Sequence, residues 1–380
     1  MKKILIVFGT RPEAIKMAPI AKKLESEKKF KTKICVTAQH RQMLDQVLDI
    51  FDIKPDYDLN LMKENQSLYD ITCGVLNSIK DVYDYFAPDI VLVHGDTTTT
   101  FAASLAAFYK KIKIGHVEAG LRTGNLYAPW PEEANRALTG ILTNYHFAPT
   151  ETARQNLLKE GKEDKNIIVT GNTVIDALYY IVNKINSQKE LEKKIIDDLF
   201  NKYNLNLTTD KKIILVTGHR RENFGDGFIN ICEALKELAE RYSDSCEIIY
   251  PAHLNPNVQK PVNNILRNIK NVHIIEPLRY EIFVYLMSKS YLVITDSGGI
   301  QEEAPGLGKP VLVMREVTER PEAVLAGTVK LVGTDKVKIF NETKKLIENS
   351  LEYEKMSKAI NPYGEGKASD RIIDFLKKRL

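Results

Sequence analysis

Short apolar, β-branched runs recur along this 380-residue chain, each closing on a polar or glycine-bearing turn and followed by an amphipathic segment. The first series is KKILIVFG, KTKICVTA, DIVLVHGD, IKIGHVEA and IIVTGN; the second is KKIILVTGH, EIIYPAH, NVHIIEP, YLVITD and KPVLVM. Strands that are apolar on both faces and alternate with helices predict parallel sheets covered on both sides. Two such series predict two α/β domains rather than one giant sheet. Lys184 to Lys212 is highly charged and has no strand-like run, which places the boundary near Asn172 to Asp176 and a charged helix at the start of the second domain. VLVHGDTTTT and LVITDSGGIQEE echo each other across the halves, both reading strand, Asp, small residues, helix. In open α/β sheets, ligands bind just past the carboxyl ends of the strands.

The balance of 54 basic against 50 acidic side chains, +4 overall, is too mild for a nucleic-acid binder, which needs a concentrated basic face. It still allows a local pocket for a small anion. Cys35, Cys73, Cys232 and Cys246 lie far apart, without CxxC or a His at metal spacing, and predict reduced, packed thiols and no metal. The apolar run in MKKILIVFGTRPE is too short for a signal peptide, and no run reaches membrane-spanning length. A cytoplasmic enzyme is expected.

DSGGIQEEAPGLGKP carries the strongest anion signal. Ser297, Gly298 and Gly299 open a predicted helix after YLVIT, leaving unpaired N–H groups and a positive dipole end that suit phosphate. Glu302 and Glu303 follow and suit ribose hydroxyls; the plainer account makes them first-turn carboxylates that complement the dipole. GTRPEAIKMAPI lacks GxGxxG, which disfavours nicotinamide binding, but offers Arg11 and Lys16 beside a strand end. GHRREN sets His219 between strand and arginines, where a bound diphosphate would favour its protonated form. HLNPN reads as structural or substrate-lining. Asp96, after VLVHG, fits a helix cap and a functional carboxylate equally well.

HVEAGLRTGNLYAPWPEEANR concentrates charge and the only tryptophan in one loop. Glu118 leaves a strand end as Asp96 does, and Pro129, Trp130 and Pro131 stiffen the loop as a brace for Glu132. Glu132 opens a helix, where its plain role is dipole pairing plus an i,i+4 ion pair with Arg136. Dipole pairing alone accounts for Glu133.

With these motifs assembled, the chain resembles the non-hydrolysing bacterial UDP-N-acetylglucosamine 2-epimerases. The match runs in order through GTRPEAIKMAP, TAQHRQMLDQV, VLVHGDTTTT, GHVEAGLRTGNLYAPWPEEANR, TGNTVIDAL, VTGHRRENFG, HLNPNV, TDSGGIQEEAP, GKPVLVMRE, TERPEAV, LVGTD and NPYGEGKAS. The resemblance implies a GT-B-type fold of two Rossmann-like domains, residues 1–172 and 173–368, with the active site in the cleft between them. A final helix, 369–380, would pack back on the first domain. It also implies a homodimer that interconverts UDP-GlcNAc and UDP-ManNAc for bacterial surface polysaccharide, with no nicotinamide, metal, nucleic-acid or membrane partner. Carried over by motif, Asp96, Glu118, Glu132 and His219 are catalytic. Arg11, Lys16, Arg136, Phe283, Ser297, Gly298, Gly299, Glu303 and Arg320 contact the nucleotide sugar. Gln39 and Gln42 match an allosteric UDP-GlcNAc site. Asn65 replaces the arginine that some members carry before the QxL of the following loop, so strong allosteric dependence is not expected.

The C2 proton of a GlcNAc ring has no neighbouring carbonyl carbon, so direct removal is prohibitively hard. The family's route is elimination of UDP to 2-acetamidoglucal and re-addition. That route needs donors on the leaving diphosphate and carboxylates on both sugar faces. Clustered carboxylates would raise one another's pKa, keeping some as acids. The alternatives are a hydrolysing 2-epimerase, a GT-B glycosyltransferase and a non-catalytic nucleotide-sugar sensor.

Overall fold

The computed structural model describes residues 1–38, 41–63, 65–207 and 210–380. The chain divides into two compact units: Met1–Ala177 together with Tyr363–Leu380, and Leu178–Pro362. The first unit holds a seven-stranded parallel sheet of β1 (Lys2–Phe8), β2 (Phe30–Val36), β3 (Tyr57–Asp58), β4 (Ile90–His94), β5 (Lys113–Val117), β6 (Tyr145–Ala148) and β7 (Ile167–Val169), ordered β3-β2-β1-β4-β5-β6-β7. The second holds six parallel strands, β8 (Lys212–Thr217), β9 (Cys246–Pro251), β10 (Val272–Ile275), β11 (Leu292–Thr295), β12 (Val311–Val313) and β13 (Val329–Leu331), ordered β10-β9-β8-β11-β12-β13. Both sheets therefore share one winding, and each reverses direction once, between β1 and β4 and between β8 and β11.

The strands hold because both faces are covered. Ile4 to Phe8 are fully buried, and Leu5 and Val7 pack with Val75 and Ile79 of one helix and Ala102 and Ala103 of another. Burial of this kind is the main stabilising term of such a sheet. The first-unit helices are α1 (Arg11–Glu25), α2 (Arg41–Ile50), α3 (Leu68–Phe86), α4 (Thr98–Tyr109), α5 (Glu132–Leu142), α6 (Glu151–Lys159) and α7 (Thr173–Ser187). Ser67 caps α3 with a reciprocal Ser67–Asp70 pairing, and the Thr97 and Thr150 hydroxyls cap α4 and α6.

The chain crosses from one unit to the other inside α7, a few residues past the 172/173 turn expected from sequence. Asp176 explains the difference. Its buried carboxylate accepts the N–H groups of Ala368 (3.1 Å) and Ser369 (2.8 Å), so the first turns of α7 stay with the first unit. The chain returns at Tyr363, whose carbonyl accepts the Asn172 N–H at 2.8 Å. The C-terminal helix, Ala368–Arg379, then packs on α1 through Lys23–Asp370 and Lys377–Glu27 ion pairs. Phe375 meets the rings of Tyr145 and Phe147 edge-on. Among the described residues, no helix is long and apolar enough to cross a membrane.

Candidate active site

The reversal of winding in each sheet brings two strand ends side by side, and the sequence motifs sit on those ends. In the first unit they are the turns after β1 and β4. Gly9 is forced by packing, since a Cβ there would lie 2.0 Å from the Thr37 hydroxyl. Thr10 caps α1 in a capping box with Glu13. Glu13 is 1% exposed and is gripped by the N–H groups of Gly9 and Thr10 and by the hydroxyls of Thr10, Thr97 and Thr100. One buried carboxylate thus fastens the Arg11 turn to the Asp96 turn.

Glu118 follows β5 with φ +64°, a left-handed backbone that is uncommon for a residue with a Cβ. Its Oε2 accepts from Lys16 Nζ and, at 2.8 Å, from Asn172 Nδ2, and the His94 ring lies 3.8 Å away. Asp96 is paired with Arg136 of α5. Arg136 therefore does not form the expected i,i+4 pair with Glu132; its other partner is Glu133, at 3.3 Å. Glu132 is half-buried and makes no hydrogen bond or ion pair with a described residue. Two of the three carboxylates face cations, Glu118 the Lys16 ammonium and Asp96 the Arg136 guanidinium.

The Trp130 loop also differs from expectation. Trp130 is 63% exposed, so it does not brace the loop by packing. Glu133 does so: it is buried, and its Oε1 accepts the N–H groups of Thr123 (2.9 Å) and Gly124 (3.0 Å) across the loop. The Thr123 hydroxyl closes the far side on the Ala128 carbonyl at 2.6 Å. The Ala128–Pro129 and Trp130–Pro131 bonds are cis. Glu133 is thus the loop's fastener, beyond the dipole pairing expected of it.

In the second unit the paired turns follow β8 and β11. Asp296 is fully buried, and its Oδ2 accepts the N–H groups of His219 and Arg220, both at 2.8 Å. The His219 ring lies 3.8 Å from Asp296 Oδ1 and stacks on His253 at 5.3 Å, 16° from parallel. Partial burial pushes the His219 pKa down; Asp296 opposes this, while His253 and Arg220 add to it. Burial thus disfavours the imidazolium here, and a bound anion would oppose that.

Ser297 precedes the helix Gly298–Gly306 and does not cap it with its side chain. A Cβ on Gly298 would meet nothing nearer than the Arg320 guanidinium at 3.9 Å, and one on Gly299 nothing nearer than Glu303 at 3.9 Å. Neither glycine has a positive φ. Among the described residues no packing or backbone demand explains them, and open space beside two N–H groups at a helix start suits close approach of an anion. Arg320 is held beside them by Glu302, and Glu303 accepts from the Tyr280 hydroxyl at 2.7 Å. Both glutamates lie beyond the first helical turn, so they do not complement the dipole as the plain account supposed. Phe283 is half-buried one turn along the helix Tyr280–Lys289. Arg11 is half-buried at the start of α1. Gln42 is exposed on α2, and Gln39 lies outside the described residues.

Glu13, His94, Asn172 and Asp296 were not among the residues singled out from sequence. The T-x-x-E spacing of Thr10 and Glu13 was a readable capping signal, and Asp296 sat inside a quoted motif. His94 and Asn172 also sat inside quoted motifs, but nothing in the sequence tied them to Glu118, because only the fold brings them there.

Two doubly wound parallel sheets, one with carboxylates and cations at its reversal and the other with two glycines beside an arginine, define a GT-B-type α/β protein, and ligands of such sheets bind at these reversals. A family model described as UDP-N-acetylglucosamine 2-epimerase matches residues 22–377. A UDP-N-acetylglucosamine 2-epimerase of Campylobacter jejuni is 63% identical over 378 residues, covering 100% of this chain and 98% of the relative. The crystal structure of the Neisseria meningitidis UDP-GlcNAc 2-epimerase bound to UDP-GlcNAc superposes with a TM-score of 0.89 at 56% identity, covering 99% of this chain and 100% of that one. A Methanocaldococcus jannaschii UDP-GlcNAc 2-epimerase in complex with UDP-GlcNAc and UDP gives 0.79 at 34% identity, with 99% of both chains covered. The chain belongs to the UDP-N-acetylglucosamine 2-epimerase family.

Proposed function

We propose that this chain interconverts UDP-GlcNAc and UDP-ManNAc without net hydrolysis. The observation that carries this is Glu118, held at a strand end in a left-handed backbone with Lys16 and Asn172 on one oxygen. A carboxylate fixed in this way suits proton transfer at a carbon acid, and the Glu132 carboxylate, engaged by no described partner, suits the opposite sugar face. The C1–O bond breaks and UDP leaves with its electron pair. The C2 proton passes to a carboxylate, and the C2–H electrons form the C1=C2 double bond of 2-acetamidoglucal. Re-protonation of C2 on the other face and return of UDP to C1 give the epimer. The Gly298–Gly299 turn, Arg320, Arg11 and His219 serve the departing diphosphate, and preorganised donors of this kind commonly make the largest contribution to such a step. Asp96, locked to Arg136, orders the sugar side. The product would supply ManNAc units for surface polysaccharide. The resemblance of its ordered motifs to the non-hydrolysing enzymes favours the course without net hydrolysis.

Proton NMR of UDP-GlcNAc with the protein in heavy water tests the whole scheme. UDP-ManNAc with deuterium at C2 and no free sugar is expected. Free ManNAc plus UDP would establish the hydrolysing reaction instead. An absence of turnover until an acceptor is added would point to a glycosyltransferase.

A further inference from the structure

Three histidines lie on three neighbouring strands beneath Glu118: His94 closes β4, His116 lies in β5 and His146 in β6, with His116 and His146 in direct register. His116 has a partner, its Nε2 lying 2.7 Å from the Gly95 carbonyl. His94 does not. Its ring is buried, 4% of the residue being exposed, and neither nitrogen makes a hydrogen bond. An orphaned buried imidazole is costly and needs an explanation. The backbone around it is fixed, since its carbonyl accepts the Thr100 hydroxyl at 2.5 Å. The charged and titratable groups around it are Lys16 from α1, Glu118 beyond β5, His116 on β5, and Glu13, which shares the Thr100 hydroxyl. Of these, Glu118 Oε2 lies 3.8 Å from His94 Nε2, within about 1 Å of hydrogen-bonding distance.

We propose that His94 is a positioning residue for Glu118: its ring donates the Nε2 proton to Oε2 and holds that carboxylate, with Lys16 and Asn172, for proton transfer at the sugar carbon. The assignment rests on the function proposed above. No proton leaves the imidazole in this role. Donation favours the ionised carboxylate, so removing it raises the pH at which Glu118 becomes a competent base.

The test combines kinetics with a readout independent of turnover. His94→Leu should lower kcat by about 10- to 100-fold, the usual effect of deleting a hydrogen bond to a charged group, with KM for UDP-GlcNAc little changed. Its acid limb in the kcat–pH profile should move to higher pH. His94→Gln, which can still donate from a side-chain N–H, should recover most of the rate. Equal rates and identical pH limbs in the two variants would overturn the proposal. Separately, the ¹⁵N-resolved His94 ring resonances of the full chain should shift on Glu118→Gln. Unchanged resonances would overturn the contact even if His94→Leu fails to fold. If wild-type protein shows no epimerase turnover, the function is wrong, whereas the ring resonances still report whether His94 bonds Glu118.

Discussion

At the scale of single residues, the charges at the strand ends of each unit are held by something specific. Lys16 and Asn172 hold Glu118, Arg136 holds Asp96, Asp296 holds the His219 turn, and Glu302 holds Arg320. Glu132 has no described partner. Glu118→Gln is isosteric and keeps an oxygen for Asn172, so the loop should keep its shape while losing the proposed base. We expect C2 deuterium uptake to fall by at least about 100-fold, the usual scale of general-base loss, with UDP affinity within about threefold of wild type. Solvent exchange at C2 followed by NMR, beside calorimetric titration with UDP, measures both. Wild-type exchange in the variant would remove Glu118 from the chemistry. The positions of these residues at strand ends were legible in the sequence, but their pairings were not. Asp96 and Arg136 are 40 residues apart and meet only because α5 packs beside α4.

At the scale of elements, glycines differ in what they are for. A Cβ at Gly115 would run to 2.7 Å from Leu92, so packing between β5 and its neighbours requires glycine there. Gly298 opens a helix with space around it. Gly298→Ala should therefore leave Tm unchanged or raise it, since alanine is the better helix former by about 1 kcal/mol. UDP binding should nonetheless weaken at least tenfold because the methyl group occupies the ligand's space. A melting curve and a UDP titration of one variant decide this, and unimpaired binding would remove this turn from the ligand site. The histidine strands make a second prediction. Burial pushes the His116 and His146 pKa values down to about 3 each. Both stay neutral in the fold while the unfolded chain takes up protons below its ordinary value near 6.5. The stability they permit is thus complete above that value and is lost as pH falls toward 3, by roughly 2–3 kcal/mol per imidazole at pH 4.5. Denaturant melts from pH 7.5 to 4.5 should show this slope, and His146→Gln should flatten it.

At the scale of the whole chain, ten apolar runs announced ten of the strands, and with them the two-sheet architecture. The other three were hidden for physical reasons. β3 has only two residues; β6, YHFA, is aromatic and histidine-bearing with no β-branched residue; and β13, VKL, carries a lysine. Quaternary structure was legible only through family resemblance, but the first unit offers a surface that bears on it. Phe108 and Ile141, 56% and 67% exposed, line a groove with Ile112 and Leu142, and Tyr109 and Leu138 lie exposed on the same two helices. Large apolar side chains grouped this way are costly to leave in water. The homodimer that the family resemblance implies should bury them against a second copy. Light scattering should give about twice the 43.2 kDa chain mass. Phe108→Glu with Ile141→Glu introduces two like charges per copy into an apolar contact, a change that desolvation makes unfavourable. The double variant should run as a monomer with an unchanged far-ultraviolet spectrum. A wild-type mass of one chain would exclude the dimer. A variant that stays dimeric would place the contact elsewhere on the molecule.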